Sequence, residues 1–168
     1  MNKSTTSSVF LDVNVWLALS SPDHEHFHAA WNWYRTLPEG AVLFFCRITQ
    51  LALLRLLTTR AAMGAGTLRQ VEAWETYDRW INSGGAEFAG EPVGLEVNFR
   101  FNTKLPQTSP KTWADGYLAA FAEAAGLTLV TLDRALAGES KGCGASQLND
   151  SIPDQKAATG APLRIGLL

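Results

Sequence analysis

The sequence is poor in cysteine and histidine and has no long apolar run and no excess of positive charge. Its two cysteines, Cys46 and Cys143, fit neither a CxxC motif nor a zinc-ligand spacing, so a disulfide scaffold and a zinc ribbon are both excluded. The longest unbroken apolar stretches, 41–46 and 117–122, hold six residues each, far short of the ~18 a membrane span requires. Residues 1–8 are polar and lack the apolar segment of a secretory signal. The expectation is a cytoplasmic protein with no membrane association. A net charge of −2 argues against a coat that binds nucleic acid through bulk charge. It leaves room for an enzyme that holds nucleic acid through metal ions and a local basic strip. No Ser-His-Asp, Walker or GxGxxG pattern occurs.

What is present is enough for one compact domain spanning residues 1–168. Hydrophobic residues make up 46% of the chain and charged ones 18%, which excludes a disordered protein. Six Trp, eight Phe and three Tyr can fill a core without staples. The pattern predicts strands at 9–11, 41–46, 86–89, 127–132 and 163–168. Helices are predicted at 15–19, 21–36, 48–62, 67–81, 95–102 and 112–125. Ser21-Pro22-Asp23 reads as a helix start, and Thr67 with Gln70 as a capping box. Residues 138–162 are rich in Gly, Ser and Ala and are expected to form a long surface excursion. Alternating strands and helices predict an α/β fold, a three-layer α/β/α sandwich with a mainly parallel sheet.

Three of the sixteen acidic residues stand in unusual places. Asp12 ends the first strand and Asp133 the fourth, where an open parallel sheet forms its ligand crevice. Each is otherwise an ordinary turn or cap residue. Asp115 shares a helix face with Leu118, Ala119 and Ala122, while Gly116, Ala120 and Glu123 lie opposite. A carboxylate on a buried stripe is costly unless it is paired or metal-bound; the alternative is a first-turn acid that helps Thr112 cap the helix. Two carboxylates ~4 Å apart repel by ~4 kcal/mol at an effective dielectric of ~20. A third needs protons or a cation, and no Lys adjoins any of the three in sequence. Mg²⁺, or Mn²⁺, suits such an oxygen site, and the chemistry that follows is phosphodiester hydrolysis.

The segment Phe10-Leu11-Asp12-Val13-Asn14-Val15-Trp16 resembles the first motif of PIN-domain proteins. Phe45 to Leu51 is similar to the opening of that family's third helix. Trp113-Ala114-Asp115-Gly116-Tyr117-Leu118-Ala119 resembles its helix-borne Asp motif, and Leu129 to Arg134 its last strand-end Asp. Ser20 to His24 and the Trp-rich second helix most resemble the VapC toxins of toxin–antitoxin pairs. The resemblance covers roughly residues 9–137 and implies a Mg²⁺-dependent endoribonuclease acting on RNA, silenced by a VapB-like antitoxin. It further implies a homodimer. By the same resemblance Asp12 and Asp115 would ligate metal directly, and Asp133 would bind it through water or hold a second ion. Asn14 would orient Asp12 or contact substrate. Gln50 stands where the family usually has Glu, which lowers the site's charge and favours one metal over two; Glu91 is a possible substitute acid. This departure supports an alternative, a catalytically weakened PIN domain acting as an RNA- or partner-binding module.

Other signals are weaker. His24 and His28 would be helical neighbours at i, i+4 but lack a third ligand, and read best as a solvated face. Trp31, Trp33, Trp74 and Trp80 could stack bases, though their spacing suits core or subunit contacts. Arg100, Lys104 and Lys111 form the candidate strip for RNA phosphates. Thr128 and Thr131 are expected to pack. A phosphotransferase with a second Asp two positions after the first is disfavoured, because Asn14 fills that place.

Overall fold

The computed structural model describes residues 8–106, 108–133 and 146–147. Five strands, β1 (Ser8–Leu11), β2 (Val42–Phe45), β3 (Ala86–Phe88), β4 (Thr128–Thr131) and β5 (Ser146–Gln147), form a sheet of order β3-β2-β1-β4-β5. Every pairing is parallel. Short β-rich runs followed by helices force crossover connections, and these lie on both faces of the sheet. Helices α1 (Val13–Ser20), α2 (Phe27–Tyr34), α3 (Arg47–Leu57), α4 (Arg60–Met63) and α5 (Gln70–Asn82) link β1 through β2 to β3. Helices α6 (Leu95–Thr103) and α7 (Lys111–Ala125) carry the chain back to β4, on the other side of β1.

The pleat separates two cores. Val9, Leu11, Leu43, Phe45 and Val130 point into a cluster with Trp16, Leu53, Tyr77 and Trp80. Phe10 and Leu129 point the other way, against Tyr117, Leu118 and Phe121. Alternation along β1 and β4 therefore gives the three layers, as the period of two requires. In the first core Trp16 stacks on Phe45 at 3.6 Å and meets Trp80 edge-on at 5.4 Å. Trp31 and Trp80 send their indole N–H groups to the Leu19 carbonyl and the Ser20 hydroxyl. These two tryptophans are core residues, while Trp74 is 46% exposed.

Several element boundaries differ from the sequence expectation, for local reasons. Ser21 does not start a helix, because its N–H closes α1 on the Leu17 carbonyl; α2 begins only at Phe27. The expected helix 48–62 breaks at Thr58 and Thr59, whose hydroxyls donate to carbonyls of the preceding turn and compete with the helical ladder. Thr67 donates to the Gly64 carbonyl instead of capping α5, and the Arg69 N–H goes to the Glu72 carboxylate. On α7 the face opposite Asp115 is not solvated throughout: Gly116 and Ala120 are buried, and a Cβ on Gly116 would lie 2.4 Å from Thr103 Cγ2. The helix is clamped between the sheet and α6, which explains why two faces are apolar. Within the expected excursion at 138–162, Ser146–Gln147 pairs with β4 as a strand. The remainder of that segment, Cys143 and the expected strand 163–168 lie outside the described residues.

Candidate active site

The chain leaves β1 toward β2 and β3 on one side and returns to β4 on the other. The carboxyl ends of β1 and β4 thus flank the topological switch point, where α/β sheets open a crevice. Asp12 follows β1 directly. Its extended backbone (φ −62°, ψ 153°) makes it the N-cap of α1, with one carboxylate oxygen accepting the Val13 N–H at 2.6 Å. The other oxygen accepts from the Thr131 hydroxyl at 2.9 Å. The same hydroxyl oxygen accepts the Asp133 N–H at 2.9 Å. Thr131, fully buried at the end of β4, therefore ties the first acid to the backbone of the last.

Asp12 is 6% exposed. Burial pushes its carboxyl above the ordinary range, the Thr131 and Val13 hydrogen bonds pull it back, and the negative Asp133 raises it further. The Asn14 N–H also favours the charged form. Asn14 thus acts on Asp12 through its backbone, and its residue is exposed.

Asp115 sits on the second turn of α7, its side chain 17% exposed. Lys111, one turn earlier, lies with its ammonium 3.7 Å from the Asp115 carboxylate and forms an ion pair with Asp133. The Asp133 hydrogen bond holds that ammonium protonated, and the charges of Asp115 and Asp12 add to the effect. A lysine therefore does serve these acids, although none adjoins them in sequence; the helix supplies it at i, i+4. This placement also changes the reading of Lys111, which was expected in a strip for RNA phosphates. Of the other two strip residues, Arg100 is paired with Glu96 at 2.5 Å and Lys104 is exposed at the end of α6. The N-cap of α7 is Pro110, not Thr112, it makes no side-chain cap bond, and Asp115 lies beyond the first turn.

Lys111 thus pairs with two of the three acids and acts on Asp12 through space. Among the described residues, no group of three or more His, Cys, Asp or Glu side chains stands close enough together to hold a metal ion. The donor set nevertheless suits a hard divalent cation. It offers carboxylate oxygens, one of them on Asp12, whose pKa burial raises with a further push from Asp133, and the Lys111 ammonium already lies beside the other two.

Gln50 is buried on α3. Its carbonyl oxygen accepts from the Arg47 guanidinium, and its amide hydrogen-bonds the Tyr77 hydroxyl. Arg47 in turn lies 4.7 Å above the Phe88 ring. Glu91, the possible substitute acid, accepts from the Tyr117 hydroxyl at 3.0 Å. Burial, the nearby Cys46 and Glu91 all push the Tyr117 phenol upward. His24 accepts the His26 N–H on its own ring at 3.2 Å and lies outside α2, so the expected i, i+4 pair with His28 does not form. The residue of the candidate site that sequence reasoning missed is Thr131. Its signal was available: a buried hydroxyl two positions before a strand-end Asp faces the same side as that residue.

The fold and this acidic switch point define the class of protein. A PIN-domain family model matches residues 9–138, and the chain belongs to the PIN-domain family. It is 43% identical over 128 residues to Ribonuclease VapC41 of Mycobacterium tuberculosis, in strains CDC 1551 / Oshkosh and H37Rv alike, covering 74% of this chain and 88% of the relative. Among solved structures it is similar in fold to PAE2754 from Pyrobaculum aerophilum, at a TM-score of 0.53 and 20% identity, covering 88% of each chain. FitAcB from Neisseria gonorrhoeae gives the same TM-score and identity over 84% of this chain and 96% of that one. No helix among the described residues is long and apolar enough to cross a membrane.

Proposed function

We propose that this chain is a VapC-type endoribonuclease, the toxin of a toxin–antitoxin pair, dependent on Mg²⁺ and able to use Mn²⁺. The observation that carries the reading is the buried Asp12, tied through Thr131 to Asp133, whose carboxylate shares the Lys111 ammonium with that of Asp115. Kinship with Ribonuclease VapC41 supplies the substrate class, RNA.

Asp12, Asp115 and Asp133 are the residues that would hold the metal. A divalent cation in such a site supplies an acidified water and neutralises charge on a phosphoryl oxygen. Thr131 fixes the Asp12 carboxylate through the hydrogen bond it donates, and the Val13 and Asn14 amides fix it from the helix side. Those donors favour the ionised form of Asp12 against the burial that raises its pKa, and the ionised form is the one that ligates a cation. Asn14, exposed beside Asp12, is placed to meet an RNA backbone. Lys104 extends the positive edge on the α6 side.

The reading includes a cytoplasmic homodimer inhibited by a VapB-like antitoxin laid over the acidic cleft. Exposed apolar residues on the packed pair α3 and α5, Ile48, Leu51, Val71 and Trp74, support association of copies. The test is to express the protein alone and with the product of its neighbouring upstream gene. RNA integrity is followed with Mg²⁺, with chelator and in Asp115→Ala. Cleavage by the parent with Mg²⁺ alone is expected, and intact RNA in every case defeats the assignment. Gln50, held by Arg47 and Tyr77, favours a second reading, a PIN domain that binds RNA or a partner without cutting. Retained RNA binding with no metal-dependent cleavage would select it.

A further inference from the structure

We infer that Lys111 is a built-in competitor for the metal of the acidic site, a tethered counter-ion that must release Asp133 before that carboxylate can serve a divalent cation. The inference rests on the proposed metal-dependent site and adds a residue whose role there the acidic motifs do not reveal. The ion pair of Lys111 with Asp133 joins residues 22 positions apart, across the gap between α7 and the end of β4. Its second carboxylate neighbour, Asp115, lies on its own helix one turn on. One ammonium thus spans two of the three acids, and the third, Asp12, is connected to Asp133 through Thr131.

This arrangement has two consequences. Without metal, Lys111 holds down the repulsion that would otherwise push the acids apart, so the cleft is preformed. A divalent cation that took the Asp133 oxygen now held by Lys111 would have to displace the ammonium from it. Lys111 is 57% exposed on a flexible four-carbon stem, so it can swing into solvent without disturbing the core. Its departure point lies at the rim of the acidic crevice, where the next anion to arrive is a phosphate of the RNA. An ammonium on such a stem can exchange a carboxylate partner for a phosphate one.

The experiment is a calorimetric titration of Mn²⁺ into the full-length parent, Lys111→Met, Lys111→Arg and Asp115→Asn, each first checked for folding by circular dichroism. Removing an exposed ion-pair competitor is expected to tighten Mn²⁺ binding in Lys111→Met by about two- to fivefold. Lys111→Arg, which keeps the charge, should bind no more tightly than the parent. The metal-free Lys111→Met protein should melt at a lower temperature than the parent and gain more from added Mn²⁺. If Lys111→Met binds Mn²⁺ no better than a parent that does bind it, the competitor role is overturned and the metal site stands. If neither the parent nor Lys111→Met binds Mn²⁺, the metal reading itself falls, and the competitor role with it.

Discussion

Trp16 and Asp12 lie one helical turn apart at the start of α1, and the Trp16 N–H donates to the Asp12 carbonyl. Both are almost completely buried, yet they are held by opposite means. Trp16 is fixed by shape: it stacks on Phe45, meets Trp80 edge-on, and leaves its indole N–H without a partner. Asp12 is fixed by polarity: each carboxylate oxygen has a donor, and the negative charge of Asp133 bears on it. The aromatic side tolerates a missing hydrogen bond because its contact area outweighs the ~1–3 kcal/mol such an orphan costs. The acidic side has little apolar area to offset a lost partner. The first region contributes packing and the second is the proposed site of chemistry, joined by a single turn of helix.

The largest expected effect follows from the aromatic side. Trp16→Ala removes a fully buried indole from between two rings, and large-to-small changes of this kind cost ~3–5 kcal/mol. Chemical denaturation should show that loss with Asp12, Asp115 and Asp133 unaltered. A loss of less than about 1 kcal/mol would mean that the site, and not the aromatic core, holds this end of the sheet together.

Thr131→Val is the complementary cut on the polar side. The substitution is nearly isosteric, but it strips the donor from Asp12 and the acceptor from the Asp133 N–H. Leaving such groups unpaired costs ~1–3 kcal/mol each when buried, and Asp133 can recover part of it from solvent. The expected net is about 1–3 kcal/mol in denaturation, with cleavage reduced by at least tenfold because Asp12 is no longer held. Thr131→Ser, which keeps the hydroxyl, should retain most activity. Equal loss in Thr131→Val and Thr131→Ser would assign Thr131 to packing, the role its β-strand position first suggested.

Sequence alone made the acids legible because each sits at a position whose backbone is dictated locally. Asp12 and Asp133 end apolar strands, and Asp115 interrupts the packing stripe of an amphipathic helix. The parallel sheet was legible for the same reason, since β1, β2 and β4 are runs of apolar residues each followed by a helix or a carboxylate. What was not legible depends on pairs distant in sequence. The Lys111–Asp133 ion pair and the Thr131–Asp12 hydrogen bond, 119 positions apart, exist only once β1 and β4 lie side by side. The burial of Gly116 likewise depends on α6 approaching α7 to within contact of Thr103, which no periodicity on α7 reveals. Helix starts at Ser21 and Thr67 misled because both hydroxyl residues serve the preceding segment: Ser21 closes α1, and Thr67 bonds back to Gly64.

The smallest expected change in stability, and the one that most directly sharpens the contrast, is Gln50→Glu. Gln50 is 5% exposed, so a carboxylate there is desolvated, but it meets two groups suited to it. The Arg47 guanidinium already donates to the side-chain oxygen, and the Tyr77 hydroxyl can turn its proton toward the new oxygen in place of accepting from the amide. A charge-assisted bond is roughly twice as strong as a neutral one, which offsets much of the burial cost; stability should shift by less than about 1 kcal/mol. The added negative charge should instead appear in the chemistry, as tighter Mn²⁺ binding and faster RNA cleavage by several-fold. The pairing with Arg47 limits that gain, because a carboxylate engaged by a guanidinium has less charge to lend a metal. The double change Gln50→Glu with Arg47→Ala should therefore exceed Gln50→Glu alone in metal affinity, and unchanged affinity and rate in both would separate Gln50 from the site and leave it as a core amide binding α3 to α5.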